Sequence, residues 1–258
     1  MDQEKGKILI IGASYAGLAL GNILSRNEIP FLIIDNKTPP FTYITGGSKF
    51  NLPSLQKILQ GLELQLSKNE SSPSRETIIT TLLQRIKCHI RYGEKVYSIE
   101  KCKDGYYIHH VEVTNAYKNS RNWKGERMQR SGPFATVIGA DGVLSICRTC
   151  GIDDTYLIGD ARWVNDRFYD LGFRRIDRGA DLAMLDGIEF GNILVDCYEK
   201  SSTFQLNGIY KQKYCAYGLF QKSKRRKRVM QSLFVLLVSR ILYLILWNDA
   251  GNSESNRR

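Results

Sequence analysis

Six residues near the N-terminus have the types and spacing to hold a phosphate. Gly12-Ala13-Ser14-Tyr15-Ala16-Gly17 follows an apolar run, 7–11, and leads into 16–26, where Leu18, Leu20, Ile23 and Leu24 recur at helical spacing. In the pattern G-x-G-x-x-G, the first glycine makes a tight turn. The second lets the backbone approach a pyrophosphate, and the third lets the helix pack on the strand. Here Ser14 takes the second position, and its hydroxyl can donate a hydrogen bond to phosphate. Asp35 lies 23 residues after Gly12, at the tip of a second apolar run, 31–35, where a carboxylate would accept hydrogen bonds from a ribose. Strand, glycine loop, helix, strand and acid fall in the order that dinucleotide binding needs. The alternative is an ordinary strand–turn–helix with small residues for packing.

Further elements must position this loop. Residues 54–66 read as a helix, and so do Arg75 to Ile86, with Ser74 as N-cap. Residues 90–113 alternate apolar and polar with a hairpin signal at Asp104-Gly105, which predicts a small antiparallel piece. His89, His109 and His110 fall in or beside that stretch and read as structural or exposed. Residues 115–131 read as a basic, exposed loop. Strands at 136–140 and 155–158 and a helix from about Gly179 to Leu194 complete the pattern. Strands alternating with helices predict an α/β fold with a parallel sheet.

The chain has 258 residues with 43% hydrophobic and 24% charged side chains, a globular composition. Its net charge is +11, but six positive charges lie in 222–228 (KSKRRKR), so no broad nucleic-acid-binding face is expected. The six cysteines show no disulfide spacing and the N-terminus no signal-peptide pattern, so the expectation is a reducing, cytoplasmic setting. Cys147-x-x-Cys150 lacks the second pair that a zinc site of this type needs.

Two later segments carry a resemblance. Residues 138–148, Ile-Gly-Ala-Asp-Gly-Val-Leu-Ser-Ile-Cys-Arg, resemble the motif G-A-D-G-x-x-S-x-x-R of FAD-dependent monooxygenases of the p-hydroxybenzoate hydroxylase type, with Asp141, Gly142, Ser145 and Arg148 matching. Leu157-Ile-Gly159-Asp160-Ala resembles that family's second FAD motif, G-D-A, although Arg162-Trp163 replaces the usual Ala-His. Residues 178–194 resemble the helix G-x-N-x-A-x-x-D-A-x-x-L, with Gly179 and Asp186 matching and Asp181 in place of Asn. Weaker matches are the Gly46-Gly47 segment and Arg75, which opens its helix where the family has an arginine facing the pyrophosphate.

The resemblance implies a Rossmann-like FAD-binding domain over 1–200. FAD would be held by Gly12, Ser14, Tyr15, Ala16, Gly17, Asp35, Arg75, Asp141, Gly142, Gly159, Asp160 and Gly179. It also implies NAD(P)H as co-substrate, molecular oxygen, and a small aromatic or polycyclic substrate. Tyr43 and Tyr169 are pocket candidates, and no side chain is assigned a catalytic role. The family places a long pocket-forming segment between its Asp-Gly and Gly-Asp motifs, whereas only ten residues, Thr149 to Ile158, stand there here. Three explanations stay open: a truncated or mis-spliced product, a reduced flavoprotein with another task, or a large substrate docked on an open face. A non-enzymatic, membrane-associated adaptor built on a Rossmann fold is a reading from another class.

A second region, 201–258, joins the basic run to the apolar stretch 229–247. That stretch is long enough to span a bilayer. Arg240 near its middle, gathered on one side with Gln231, Ser232 and Ser239, suits a helix lying on an anionic membrane surface through 222–247, or one packed on the nucleotide domain.

Overall fold

Four apolar residues in a row cannot leave either face of a strand in water, and Ile8–Ile11 (β1) is accordingly buried on both sides. In the computed structural model, which describes residues 4–37, 52–66, 73–113, 128–142, 144–150, 155–159, 161 and 179–200, β1 is the centre of a parallel sheet. The elements follow in chain order. After β1 come α1 (Tyr15–Arg26), β2 (Phe31–Asp35), α2 (Leu52–Gly61), α3 (Arg75–Leu83), β3 (Ile90–Tyr92), β4 (Glu94–Cys102) and β5 (Gly105–Glu112). They continue with β6 (Gln129–Phe134), β7 (Thr136–Gly139), α4 (Ile146–Thr149), β8 (Tyr156–Leu157) and α5 (Gly179–Lys200).

The five-stranded sheet has the order β3-β2-β1-β7-β8 and every pairing in it is parallel. The chain leaves β1 toward β2 on one side and returns to β7 on the other, so the topological switch point lies between β1 and β7. A second sheet, β4-β5-β6, is antiparallel. It covers one face of the parallel sheet, where Val96, Ile99, Ile108 and Phe134 meet Leu9, Leu32, Ile34 and Val137. Helices cover the other face. Gly21 of α1 approaches Ile33 and Phe31, while Gly187 and Gly191 of α5 bring that helix against Ala16, Leu20 and Ile23 of α1. Buried Asn22 ties α1 to α3, its amide donating to Leu18 O at 2.9 Å and Leu82 O at 2.8 Å.

The expected α/β class, parallel sheet and small antiparallel piece are present. Several boundaries differ. Ile90–Tyr92 joins the parallel sheet beside β2 instead of opening the antiparallel piece, and Gly93, at φ +75°, redirects the chain between them. Residues 129–131 are not loop but the start of β6, whose third row completes the small sheet. The second helix ends at Gly61, and Glu63 then takes φ +56°, outside helical space. The third ends at Leu83 and the last runs on to Lys200. The hairpin turns through Lys103-Asp104, with Gly105 already paired to Cys102. Residues 201–258, with the expected apolar helix, lie outside the described residues. Among the described residues, no helix is long and apolar enough to cross a membrane.

Candidate functional site

The C-terminal ends of four neighbouring strands collect the residues expected to hold a dinucleotide. Gly12 follows β1, Asp35 ends β2, Asp141 follows β7 and Gly159 follows β8. Backbone bonds carry the ladder out to these ends: Gly12 N–H donates to Ile34 O at 2.8 Å, Ala140 N–H to Ile11 O at 2.7 Å and Ile158 N–H to Gly139 O at 3.0 Å.

The glycines of the first loop are demanded by geometry. Gly12 has φ +113°, and a Cβ there would stand 2.5 Å from Ala140 O. At Gly17 a Cβ would stand 2.0 Å from Gly12 O, so only glycine lets α1 start this close to β1. Ser14 is the N-cap of α1, yet its side chain makes no cap hydrogen bond. The first N–H groups of α1 therefore face the loop without a side-chain acceptor from Ser14, and the helix dipole adds a positive end there.

Asp35 braces this loop. Its carboxylate accepts from Ala13 N–H at 2.6 Å and from Lys37 N–H at 2.8 Å. Two oxygens offer about four lone-pair positions, so this brace leaves acceptor capacity for a sugar hydroxyl. Arg75 reaches the same loop from α3, its guanidinium 5.3 Å from the centre of the Tyr15 ring. Ser74 caps α3 as expected, its hydroxyl accepting from Thr77 N–H at 3.1 Å. A cation in the first turn of a helix opposes the dipole, and an anion bound beside Arg75 would offset that cost.

Across the switch point, Asp141 and Gly142 form a turn, with Gly142 at φ +85°. Asp141 accepts from Ile146 N–H at 2.9 Å, which fixes the start of α4. As a residue Asp141 is exposed, but its carboxyl is largely desolvated. That desolvation pushes its pKa above the ordinary carboxylate value, against the effect of the Ser145 hydroxyl beside it and the Ile146 N–H; the charge of Asp35 pushes it further up.

Gly159 donates its N–H to Asp186 at 2.7 Å, a buried bond that fastens the β8 turn to α5. Ala16 and Ala183 crowd the same turn, so Gly159, α1 and the start of α5 meet there. The helix opens at Gly179 as expected, and Asp181 is buried in its first turn, where a carboxylate suits the dipole.

Asp160, Tyr43, Tyr169 and the Gly46-Gly47 segment lie outside the described residues. Cys147 and Cys150 are free thiols, and burial pushes the Cys147 thiol far above its usual range. Among the described residues no cluster of side chains could hold a metal ion. Reading the sequence missed two features of this edge. One is the Asp35–Ala13 brace; the other is the Asp186–Gly159 clamp, where the resemblance marked Asp186 without giving it a task. Burial of Asp186 among the apolar residues of α5 is the signal that an N–H partner was due.

No protein-family profile matches the chain, and no curated protein matches it. Among solved structures, it is similar to CabE, an aromatic hydroxylase from angucycline biosynthesis, with 15% identity and a TM-score of 0.41 over 58% of this chain and 34% of that one. It is also similar to p-nitrophenol 4-monooxygenase PnpA from Pseudomonas putida, with 12% identity and a TM-score of 0.42 over 57% of this chain and 43% of that one. A third is the rebeccamycin biosynthetic enzyme RebC with reduced flavin, with 12% identity and a TM-score of 0.41 over 58% and 35%. This chain spans less than half the length of each.

Proposed function

We propose that the chain binds FAD across the C-terminal edge of its parallel sheet and serves as an NAD(P)H-dependent oxidoreductase of the aromatic-hydroxylase type. One observation carries the binding reading: a loop in which Gly12 and Gly17 admit no Cβ is flanked, at a switch point, by Asp35 and Asp141. Ligands of open α/β sheets bind outside the strand ends at such a point. The donor set also fits the group. The N–H groups at the start of α1, the Ser14 hydroxyl and Arg75 suit a pyrophosphate, and Asp35 retains acceptor capacity for a ribose. Gly142, Gly159, Asp160 and Gly179 complete the expected contacts by the sequence resemblance.

The flavin would supply electron transfer and oxygen chemistry, and the chain would supply position and electrostatics. Asp35 and Asp186 hold two turns of the cradle rigid through main-chain N–H groups. A second reading rests on the ten residues between Arg148 and Gly159, where a substrate wall would have to stand. On that reading the chain binds flavin but excludes water poorly, and does not couple reduction to hydroxylation. A membrane surface met through 222–247 remains a proposal from the sequence.

Visible spectra of the purified full chain, followed by NADPH oxidation with oxygen and peroxide measured together, test both readings. Bound flavin is expected. Substrate-dependent oxidation with little peroxide supports the hydroxylase, and peroxide matching the NADPH consumed supports the flavin-binding remnant. Colourless protein that FAD does not stabilise removes both.

A further inference from the structure

Outside the contacts proposed for the dinucleotide, α4 carries two thiols one helical turn apart, Cys147 and the C-cap residue Cys150. Cys150 N–H donates to Ile146 O at 3.0 Å and Arg148 N–H to Ser145 O at 3.2 Å, so the turn between them is helical. Side chains three residues apart on a helix are neighbours on one face. The rise and radius of the helix put such Cα atoms about 5 Å apart, within the roughly 4.4–6.8 Å that a disulfide spans. Both side chains pack on the apolar layer between the two sheets. The turn is also held at both ends: Asp141 accepts from Ile146 N–H at 2.9 Å, and the Thr155 hydroxyl donates to Cys147 O at 3.2 Å.

The two thiols differ in access. Cys147 is buried and Cys150 is half-buried. Cys147 is seated where β7 has no side chain, since a Cβ at Gly139 would stand 2.9 Å from Cys147 Cβ. Burial pushes the Cys147 thiol far above its usual range, and the charges of Asp141 and of a Cys150 thiolate push it further. A reagent from solvent therefore meets Cys150 first, and Cys147 stays a thiol until its neighbour has reacted. Once Cys150 enters a disulfide it carries no charge, and that part of the penalty on Cys147 disappears. A single buried cysteine would be an ordinary core residue. Core packing does not account for a second, half-exposed thiol one turn on and on the same face.

We propose that Cys147 and Cys150 form a redox-active dithiol that reduces low-molecular-weight disulfides of the glutathione type, with Cys150 as the attacking thiol and Cys147 as the resolving one. The Cys150 thiolate bonds to one sulfur of the small disulfide, whose S–S bond breaks, and the leaving thiolate takes the proton that Cys150 lost. Cys147 then gives up its proton and attacks Cys150 Sγ. The mixed disulfide breaks, and the second small thiol leaves with that proton. Two electrons pass from the cysteines to the small disulfide, which ends as two thiols while the chain ends with a Cys147–Cys150 bridge. The exchange needs no flavin and stands apart from the dinucleotide reading.

The test is to incubate the reduced full chain with glutathione disulfide, block the remaining thiols with iodoacetamide, digest with trypsin and analyse the peptides without reduction. Trypsin cuts after Arg148, so residues 131–148 and 149–162 separate unless a bridge joins them. The expected result is the joined pair, lighter than the two free peptides by two hydrogens. In Cys147→Ala a glutathione adduct should accumulate on Cys150, because nothing resolves it. In Cys150→Ala the Cys147 thiol should stay unmodified over the same time. The wild-type result decides the matter if either variant fails to fold. A glutathione adduct that stays on Cys150 of the wild-type chain without the bridge overturns the proposal, and so does an absence of reaction at both cysteines. Modification of Cys147 in Cys150→Ala at the wild-type rate overturns it as well.

Discussion

The two sheets of this molecule use polar groups in opposite ways. In the parallel sheet the central strands β1 and β2 are apolar up to their ends, and the polar side chains of the candidate site stand at strand ends: Asp35, Asp141 and, through the turn it holds, Asp186. In the antiparallel sheet the polar groups sit within the ladder. Glu94, His110 and Ser131 form one group, while Glu100, Cys102, His109 and Arg130 form another at the surface. The reason is solvent. Strands covered on both faces cannot carry polar side chains except where they emerge, whereas a covering sheet with an open face can carry them along its length. Chemistry at strand ends is built on loops and helix starts.

That contrast can be broken by substitution, beginning with the largest effect. Gly17→Val should destabilise the fold by about 3 kcal/mol or more, because a Cβ there would stand 2.0 Å from Gly12 O and the start of α1 must move; chemical denaturation reads this. Asn22→Ala should cost about 1–3 kcal/mol, since Leu82 O loses its buried donor. Asp186→Ala leaves the Gly159 N–H without its acceptor and should cost a similar amount. Asp186→Asn keeps an acceptor oxygen and should recover much of the loss. Ser74→Ala removes one N-cap bond, for about 1 kcal/mol.

The smallest effect has the opposite sign. Asp141 has a raised pKa in the fold, so the folded chain binds the proton more tightly than the unfolded chain does. Its contribution to stability falls as pH rises from the ordinary value of 3.8 through the raised one, and stays lost above it. Asp141→Asn keeps an acceptor for Ile146 N–H without the charge. Melting temperatures across pH should show this variant more stable than wild type at neutral pH, with the advantage vanishing in acid. Equal curves would remove the argument from desolvation.

These outcomes bear on what residues alone reveal. The geometry of the strand-end loop was legible because its signals are local: a turn that needs Gly12, a packing contact that needs Gly17 and an acid ending an apolar run. The Ser74 cap was legible for the same reason, and the hairpin read at Asp104-Gly105 turns one residue earlier, at 103–104. What escaped depends on distant partners. Ile90–Tyr92 alternates no differently from the strand after it, and only its position beside β2 makes it parallel. β6 contains Gly132 and Pro133 within a polar stretch, and β5 is what pairs it. His110 reads as any histidine in an alternating strand, because its neighbours, Glu94 and Ser131, come from two other strands.

Flavin dinucleotide binding is proposed at the edge formed by Gly12, Ser14, Asp35 and Asp141. Its most direct test is a titration of the flavin-free full chain with FAD, followed by flavin fluorescence, for wild type beside Ser14→Val. Ser14 makes no cap bond, so a branched apolar side chain there should spare the fold and block the phosphate path. Saturable quenching at one FAD per chain is expected, with an affinity lower by at least about tenfold in the variant, the loss of one good hydrogen bond to a charged group. An absence of quenching in the wild-type chain, or equal affinity in the two, would contradict it.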